Sequence, residues 1–432
     1  MAVKITVPYG SGQVSCEVPD ARPVNVVRVL SPEPGDETEE GIVRRSLADP
    51  ISSPRLSELA RGKKRVVILT SDHTRPVPSG VILPLMCEEI RMGSPDADIT
   101  ILIGVGSHRA ATRGEIALKF GKEFAAREKI VNHDPLGRDL ISLGNLPSGG
   151  DLVVSRMAAE ADLLTADGFI EPHQFAGFSG GRKIVLPGIA SLETVLASHN
   201  AEFTVHPRAR PGSLAGNPFH IDMLYAARAA NLAFIVNVAL THSKRIAASF
   251  AGDMEKAHLA GCGFVLAHAG ADVPRTPIVI TSNGGYPLDQ NIYQATKSIM
   301  TADSACSDGG VIIAVNECRD GCGARTFYDS FRGARSLDAL LDEIAGRGRT
   351  GTIPDQWVTQ LTASIVRNRR VIFVTDAPKE MVENFRMTYA PTLEGALAEA
   401  DGMLAERGIF GAPITVLPDA VSLIVNGTPP QT

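Results

Sequence analysis

Apolar positions along this chain follow two alternating rhythms. Residues 65–70 (RVVILT), 98–103 (DITILI) and 161–166 (ADLLTA) are short apolar runs, the pattern of strands buried on both faces. Between and after them the spacing turns helical, over residues 78–92 and 113–127, and the strand pattern resumes at 232–238. The chain opens differently: strict alternation over 4–8 and 13–18 flanks Tyr9-Gly10-Ser11-Gly12, which predicts a β-hairpin. Residues 270–275, with Gly, Ala and Pro, read as a hinge. Beyond them come a strand at 277–281, a helix over 288–300, a strand at 310–315, and strand runs at 371–374 (VIFV) and 414–417 (ITVL).

This order predicts an α/β protein of two α/β domains, residues 1–270 and 276–432, with mainly parallel sheets and an active site in the cleft between them. A length of 432 residues agrees with two cores. The 44% hydrophobic and 21% charged content is that of a globular chain. A formal charge of -6 without a basic run argues against nucleic acid as a partner. The start lacks a signal-peptide core, and no stretch reaches the roughly 18 apolar residues of a membrane span, so a cytoplasmic protein without a membrane partner is expected. Six scattered cysteines read as free thiols; Cys318 and Cys322 lack the second pair that a zinc knuckle needs.

Reactive side chains gather in three loops that follow strand runs. The first is Ser71-Asp72-His73-Thr74-Arg75-Pro76, a polar turn before a helix, suited to phosphate through backbone N–H groups and Arg75. It reads equally well as an Asp helix cap beside a surface arginine. The second, Gly104 to Arg109, delivers His108, a residue suited to proton transfer, although a single strand-end histidine is commonly structural.

The third loop is EPHQFAGFSGGRK, residues 171–183. Its Gly177, Gly180 and Gly181 suggest unusual backbone torsion or close approach, and it holds His173. Lys183 follows Arg182, and a neighbouring cation favours the nucleophilic form of a lysine. A flexible basic surface loop is the plainer alternative. The spacing is not that of a Walker loop. His199, in Ser198-His199-Asn200, is a possible metal ligand or a surface histidine. In the second half, Tyr293 and Lys297 lie four apart on the expected helix, as a carboxylate clamp or as a solvated face.

Taken together, SDHTRP, GSHR, EPHQFAGFSGGRK, the His199-Asn200 pair and YQATK resemble the nickel-dependent lactate racemase family, in order, from the Tyr9-Gly10 turn to the Asp-Gln-Trp segment at Trp357. The resemblance implies an isomerase that racemises a small, lactate-like 2-hydroxy acid. It also implies a nickel pincer nucleotide, a pyridinium mononucleotide gripping nickel through two thiocarbonyl sulfurs. The N-terminal domain would carry this cofactor and the C-terminal domain would close over the substrate. Lys183 would be the covalent attachment, His199 the nickel ligand, and Asp72, His73, Thr74 and Arg75 the nucleotide's cradle. His108 and His173 would be the two proton-transfer groups. Arg75, Tyr293, Gln294, Lys297 and Trp357 would bind substrate, with Phe175 and Phe178 adding an apolar wall. The implied chemistry is proton-coupled hydride transfer through a planar 2-keto acid, and the implied partners include the enzymes that build the cofactor.

Malate, an aromatic hydroxy acid or an aldonic acid is the alternative substrate within the same class. A phosphate-binding transferase or hydrolase is the alternative from another class, and it leaves Lys183, His199 and a second imidazole without a task. A carrier that stores the cofactor would need no proton shuttles.

Overall fold

The computed structural model describes residues 2–29, 35–241 and 243–428. The chain forms two compact units, one of residues 31–199 and 206–268, the other of residues 1–30, 200–205 and 269–432.

In the N-terminal unit, β-branched and leucine-rich runs become the centre of a six-stranded sheet. Its spatial order is Ile246–Gly252, Leu232–Leu240, Leu163–Phe169, Arg65–Ser71, Asp98–Gly104, Lys129–Asn132. All neighbours are parallel except the Ile246–Gly252 edge. Val66, Ile68, Ile101, Phe234 and Val236 are fully buried, the condition that made these runs read as apolar throughout. From Arg65–Ser71 the order steps to Asp98–Gly104 and Lys129–Asn132 on one side. It then returns to Leu163–Phe169 on the other. Such a reversal leaves a crevice at the carboxyl ends of the strands. The three loops that hold Asp72, His108 and His173 all begin there.

The C-terminal unit is built on a second six-stranded sheet, all parallel, in the order Thr388–Ala390, Arg370–Val374, Cys306–Val315, Thr276–Thr281, Ile414–Leu417, Val24–Val26. The opening hairpin pairs Ala2–Tyr9 with Gly12–Pro19 and buries Ile5, Val7, Cys16 and Val18 against Ile278, Ile280 and Val311. The first residues therefore group with the C-terminal half and not with residues 31–268, where the sequence pattern had placed them. The expected hinge is also something else: Gly270–Pro274 is a strand paired in parallel with Ile424–Thr428. Residues 200–205 join this unit as well, through the short Ala201–Thr204 helix, whose Ala201 carbonyl accepts from Gln360 Nε2 at 3.1 Å. No helix among the described residues is long and apolar enough to cross a membrane.

Candidate active site

Asp72 follows the Arg65–Ser71 strand and is 3% exposed. Its Oδ1 accepts from the Thr74 backbone N–H at 2.9 Å and from Thr74 Oγ1 at 2.6 Å, which folds the turn back on itself. Its Oδ2 lies 2.7 Å from His108 Nδ1. Burial works to raise the carboxyl's pKa, but the bonds from His108 and Thr74 outweigh it and hold the group down to about 2. A carboxylate on Nδ1 keeps that nitrogen protonated, so Nε2 of His108 presents a lone pair. The imidazole side chain is 42% exposed, unlike its partner. Arg75 bends over the same turn, its Nη1 donating to Thr74 Oγ1 at 3.1 Å. The Ser71 hydroxyl and His73 Nδ1 are buried and have no hydrogen-bond partner among the described residues.

The glycine-rich loop is a narrow hairpin in which His173 pairs with Gly177. Gly177, Gly180 and Gly181 all have positive φ, and at Gly177 (φ 78°) a Cβ would sit 2.3 Å from the Ser213 carbonyl. The Ala176 N–H donates to His173 Nδ1 at 3.3 Å, an arrangement that puts the proton of the neutral ring on Nε2. Lys183 lies in the 3-10 turn Gly181–Ile184 that closes the loop.

His199 ends the Leu192–Ser198 helix and is 5% exposed. Its Nδ1 sits 2.8 Å from the Val195 carbonyl, to which it donates, so the lone pair is again on Nε2. Burial, then the charge of Lys183, lower its pKa to about 4, and the ring is neutral at physiological pH. Phe175 bridges two of the histidines, 4.6 Å from the His173 ring and 5.3 Å from the His199 ring, centroid to centroid. The N-terminal unit thus joins His173 and His199 through Phe175, sets Lys183 within electrostatic reach of His199, and pairs His108 with Asp72. Phe178 is fully buried.

The remaining candidates lie in the C-terminal unit. Tyr293, Gln294 and Lys297 sit on the Ile292–Ala305 helix, and Tyr293 meets Phe327 edge-on at 5.6 Å. Trp357 is partly buried near the start of the Gln356–Asn368 helix.

Two roles escaped the sequence. The Asp72–His108 pair joins loops on adjacent strands, which spacing alone cannot align. Arg182 entered the sequence reading only as the cation beside Lys183, in a loop that had a basic surface loop as its alternative; it is 1% exposed and turned inward. Its Nη2 donates to the Ala176 carbonyl at 2.8 Å, Nη1 to the carbonyls of Phe178 (3.0 Å) and Gly180 (3.3 Å), and Nε to His220 Nδ1 at 3.0 Å. Burial lowers its pKa to about 10, leaving it a cation at neutral pH.

Comparison with known proteins gives a consistent result. Residues 9–212 match the model described as lactate racemase N-terminal domain, and residues 271–425 the one described as lactate racemase C-terminal domain. Lactate racemase of Thermoanaerobacterium thermosaccharolyticum is 48% identical over 98% of this chain and 99% of its own length. That of Lactiplantibacillus plantarum is 44% identical over 98% of this chain and 100% of its own. The solved structure of the T. thermosaccharolyticum apoprotein superposes with a TM-score of 0.94, covering 98% of this chain and 100% of that one. A crystal structure of a Thermotoga maritima protein, 17% identical, shares the fold with a TM-score of 0.63 over 91% of this chain and 100% of its own.

Proposed function

Because this chain belongs to the lactate racemase family and is therefore a racemase, we propose that it interconverts the enantiomers of lactate with a nickel pincer nucleotide attached at Lys183. The observation that carries the reading is the Asp72–His108 pair, a buried carboxylate fixing an imidazole so that Nε2 can accept a proton.

The residues present fit the cofactor. His199 offers a single neutral imidazole with its Nε2 lone pair outward from the Val195 bond, a donor suited to nickel. Lys183 acts electrostatically on that imidazole, so the expected anchor and the expected ligand are close. The turn assigned to the nucleotide holds two buried polar atoms, Ser71 Oγ and His73 Nδ1, without a partner among the described residues. His73, Thr74 and Arg75 with the turn's backbone would hold the nucleotide, while the Asp72 carboxylate is engaged by His108. When bound, the cofactor supplies an acceptor and donor for the substrate's α-hydrogen as hydride.

The protein's own residues handle the proton. The α-hydrogen of a hydroxy acid is a poor acid, because the adjoining carboxylate resists a second negative charge. Withdrawing the hydroxyl proton instead raises electron density at the carbinol carbon and lets the hydrogen leave with its electron pair. His108 Nε2 takes that proton, and Asp72 stabilises the imidazolium. The planar keto acid can accept hydrogen on either face, and His173 serves the opposite enantiomer. It donates as an imidazolium, so its Nδ1 must take a proton in place of the Ala176 contact before it can act; one turnover then moves one proton from substrate to His108 and one from His173 to product, leaving His108 charged and His173 neutral. Arg75, Tyr293, Gln294 and Lys297 are assigned to the substrate carboxylate and Trp357 to its methyl group. A cytoplasmic setting and dependence on cofactor-building enzymes belong to the same reading.

The test is a chiral assay of protein made together with those enzymes, checked for nickel and for intact mass. D-lactate should form from L-lactate and an added mass should map to Lys183. His108→Ala and His173→Ala should each lose roughly 10²–10⁴-fold in rate while keeping nickel. Racemisation of malate or an aromatic hydroxy acid in preference to lactate would overturn the substrate, and an undiminished double histidine variant would overturn the chemistry.

A further inference from the structure

The Arg113–Phe120 helix has no place in the chemistry above, yet two of its side chains reach the loops of Asp72 and of His108. It is capped by Thr112, whose N–H bonds Glu115 Oε2 at 2.8 Å. Glu115 also takes a two-pronged contact from Arg109, the residue after His108, with Nη1 at 2.8 Å and Nη2 at 2.5 Å. Its Oε1 lies 3.6 Å from His73 Nε2 in the other loop. Four residues on, and so on the same face, Lys119 Nζ donates to the carbonyls of Asp72 (2.8 Å) and Arg75 (3.0 Å), the two ends of the turn. Burial pushes the Lys119 ammonium down to about 8, opposed by the charges of Asp167 and Asp72. Asp167 is buried in the third strand, Leu163–Phe169.

We propose that this helix is a clamp: Lys119 and Glu115 are positioning residues that hold Asp72 and His108 in register. Lys119 acts through the backbone of the first loop and Glu115 through Arg109 in the second. Neither touches substrate. The 2.7 Å carboxylate–imidazole bond joins two separate loops, so its length depends on how each is held, and contacts from outside add to the bonds within each loop. The inference rests on reading His108 as the proton acceptor, but its first test does not.

That test is the tautomer of His108 in the cofactor-free protein, read from the nitrogen-15 shifts of its ring and assigned by comparison with a His108→Gln spectrum. In the unaltered protein the form with Nδ1 protonated and Nε2 bare should dominate. Lys119→Met should mix the two tautomers. In the loaded enzyme it should lower kcat by about 10²-fold with lactate KM changed by less than about twofold, the signature of misplaced chemistry with binding intact. Lys119→Arg, which still offers donors to both carbonyls, should restore the tautomer and bring kcat back to within about threefold. Glu115→Gln should shift the tautomer in the same direction, by less, and it decides the matter if Lys119→Met does not fold. Unchanged ring shifts in Lys119→Met, or in Glu115→Gln where only that variant folds, would overturn the clamp. So would an arginine variant as impaired as the methionine one. Altered ring shifts in a protein that racemises nothing would leave the clamp standing and remove the functional reading instead.

Discussion

At the scale of the residue, the site depends on which nitrogen of each imidazole carries the proton. Asp72 settles this for His108, the Ala176 amide for His173, and the Val195 carbonyl for His199. Replacing Asp72 with Asn preserves shape and removes the charge that fixes the tautomer. Lactate kcat in Asp72→Asn should therefore fall by about 10²–10⁴-fold, with nickel content unchanged, as read by chiral assay and metal analysis. Because the Asp72 pKa is depressed to about 2, its stabilising effect is complete above its ordinary value of 3.8 and is lost as pH falls through about 2. The pair is thus intact at any working pH. His108 and His173 were legible in the sequence as imidazoles in loops that follow strand runs. Their tautomers were not, because each depends on a partner brought by a different segment or by the loop's own fold.

At the scale of the element, the glycine-rich hairpin is held from within. Arg182 donates to three carbonyls of residues 176–180 and to His220, and it is the cation about which the loop winds. Arg182→Met would leave those acceptors buried without donors, at a cost of about 3 kcal/mol or more. A denaturant titration of the cofactor-free protein should show this loss, and an unchanged midpoint would mean that water replaces the guanidinium. The three loops were readable as loops because each follows an apolar strand run and starts with polar or glycine residues. That they converge was not readable, since it follows from the strand order. Leu163–Phe169 returns to the far side of Arg65–Ser71, and only that reversal sets the third loop beside the first. The inward turn of Arg182 was not readable for a similar reason: only the loop's own fold brings the carbonyls of Ala176, Phe178 and Gly180 around the guanidinium.

At the scale of the molecule, two mainly parallel sheets divide the work of folding, and the chain passes between the two units more often than its pattern suggested. The alternation of apolar runs and helices gave both sheets correctly in kind. It could not assign Val24–Val26, a three-residue edge strand whose partner Ile414–Leu417 is nearly four hundred residues away. Burial of histidines beneath the glycine-rich loop has a consequence for the whole N-terminal unit. Burial and then the neighbouring Arg182 lower the pKa of His220 to about 4 and that of His258 well below its ordinary value. In the unfolded chain both protonate near 6.5, so between about pH 6.5 and 4 the unfolded state binds more protons and stability falls with pH. Urea midpoints should drop between pH 7 and pH 4.5, and drop less in His220→Asn. A flat profile over that range would show that these imidazoles are not neutral in the folded protein.

The account stands on the α-hydrogen leaving and returning with its electrons while the histidines move only the hydroxyl proton. L-lactate deuterated at C2, incubated with cofactor-loaded enzyme in ordinary water, tests this directly by mass analysis of the D-lactate formed. The deuterium should remain at C2 of the product, since hydride does not exchange with solvent. Deuterium lost to water in step with inversion would mean that the histidines remove the α-hydrogen as a proton, and would contradict the mechanism.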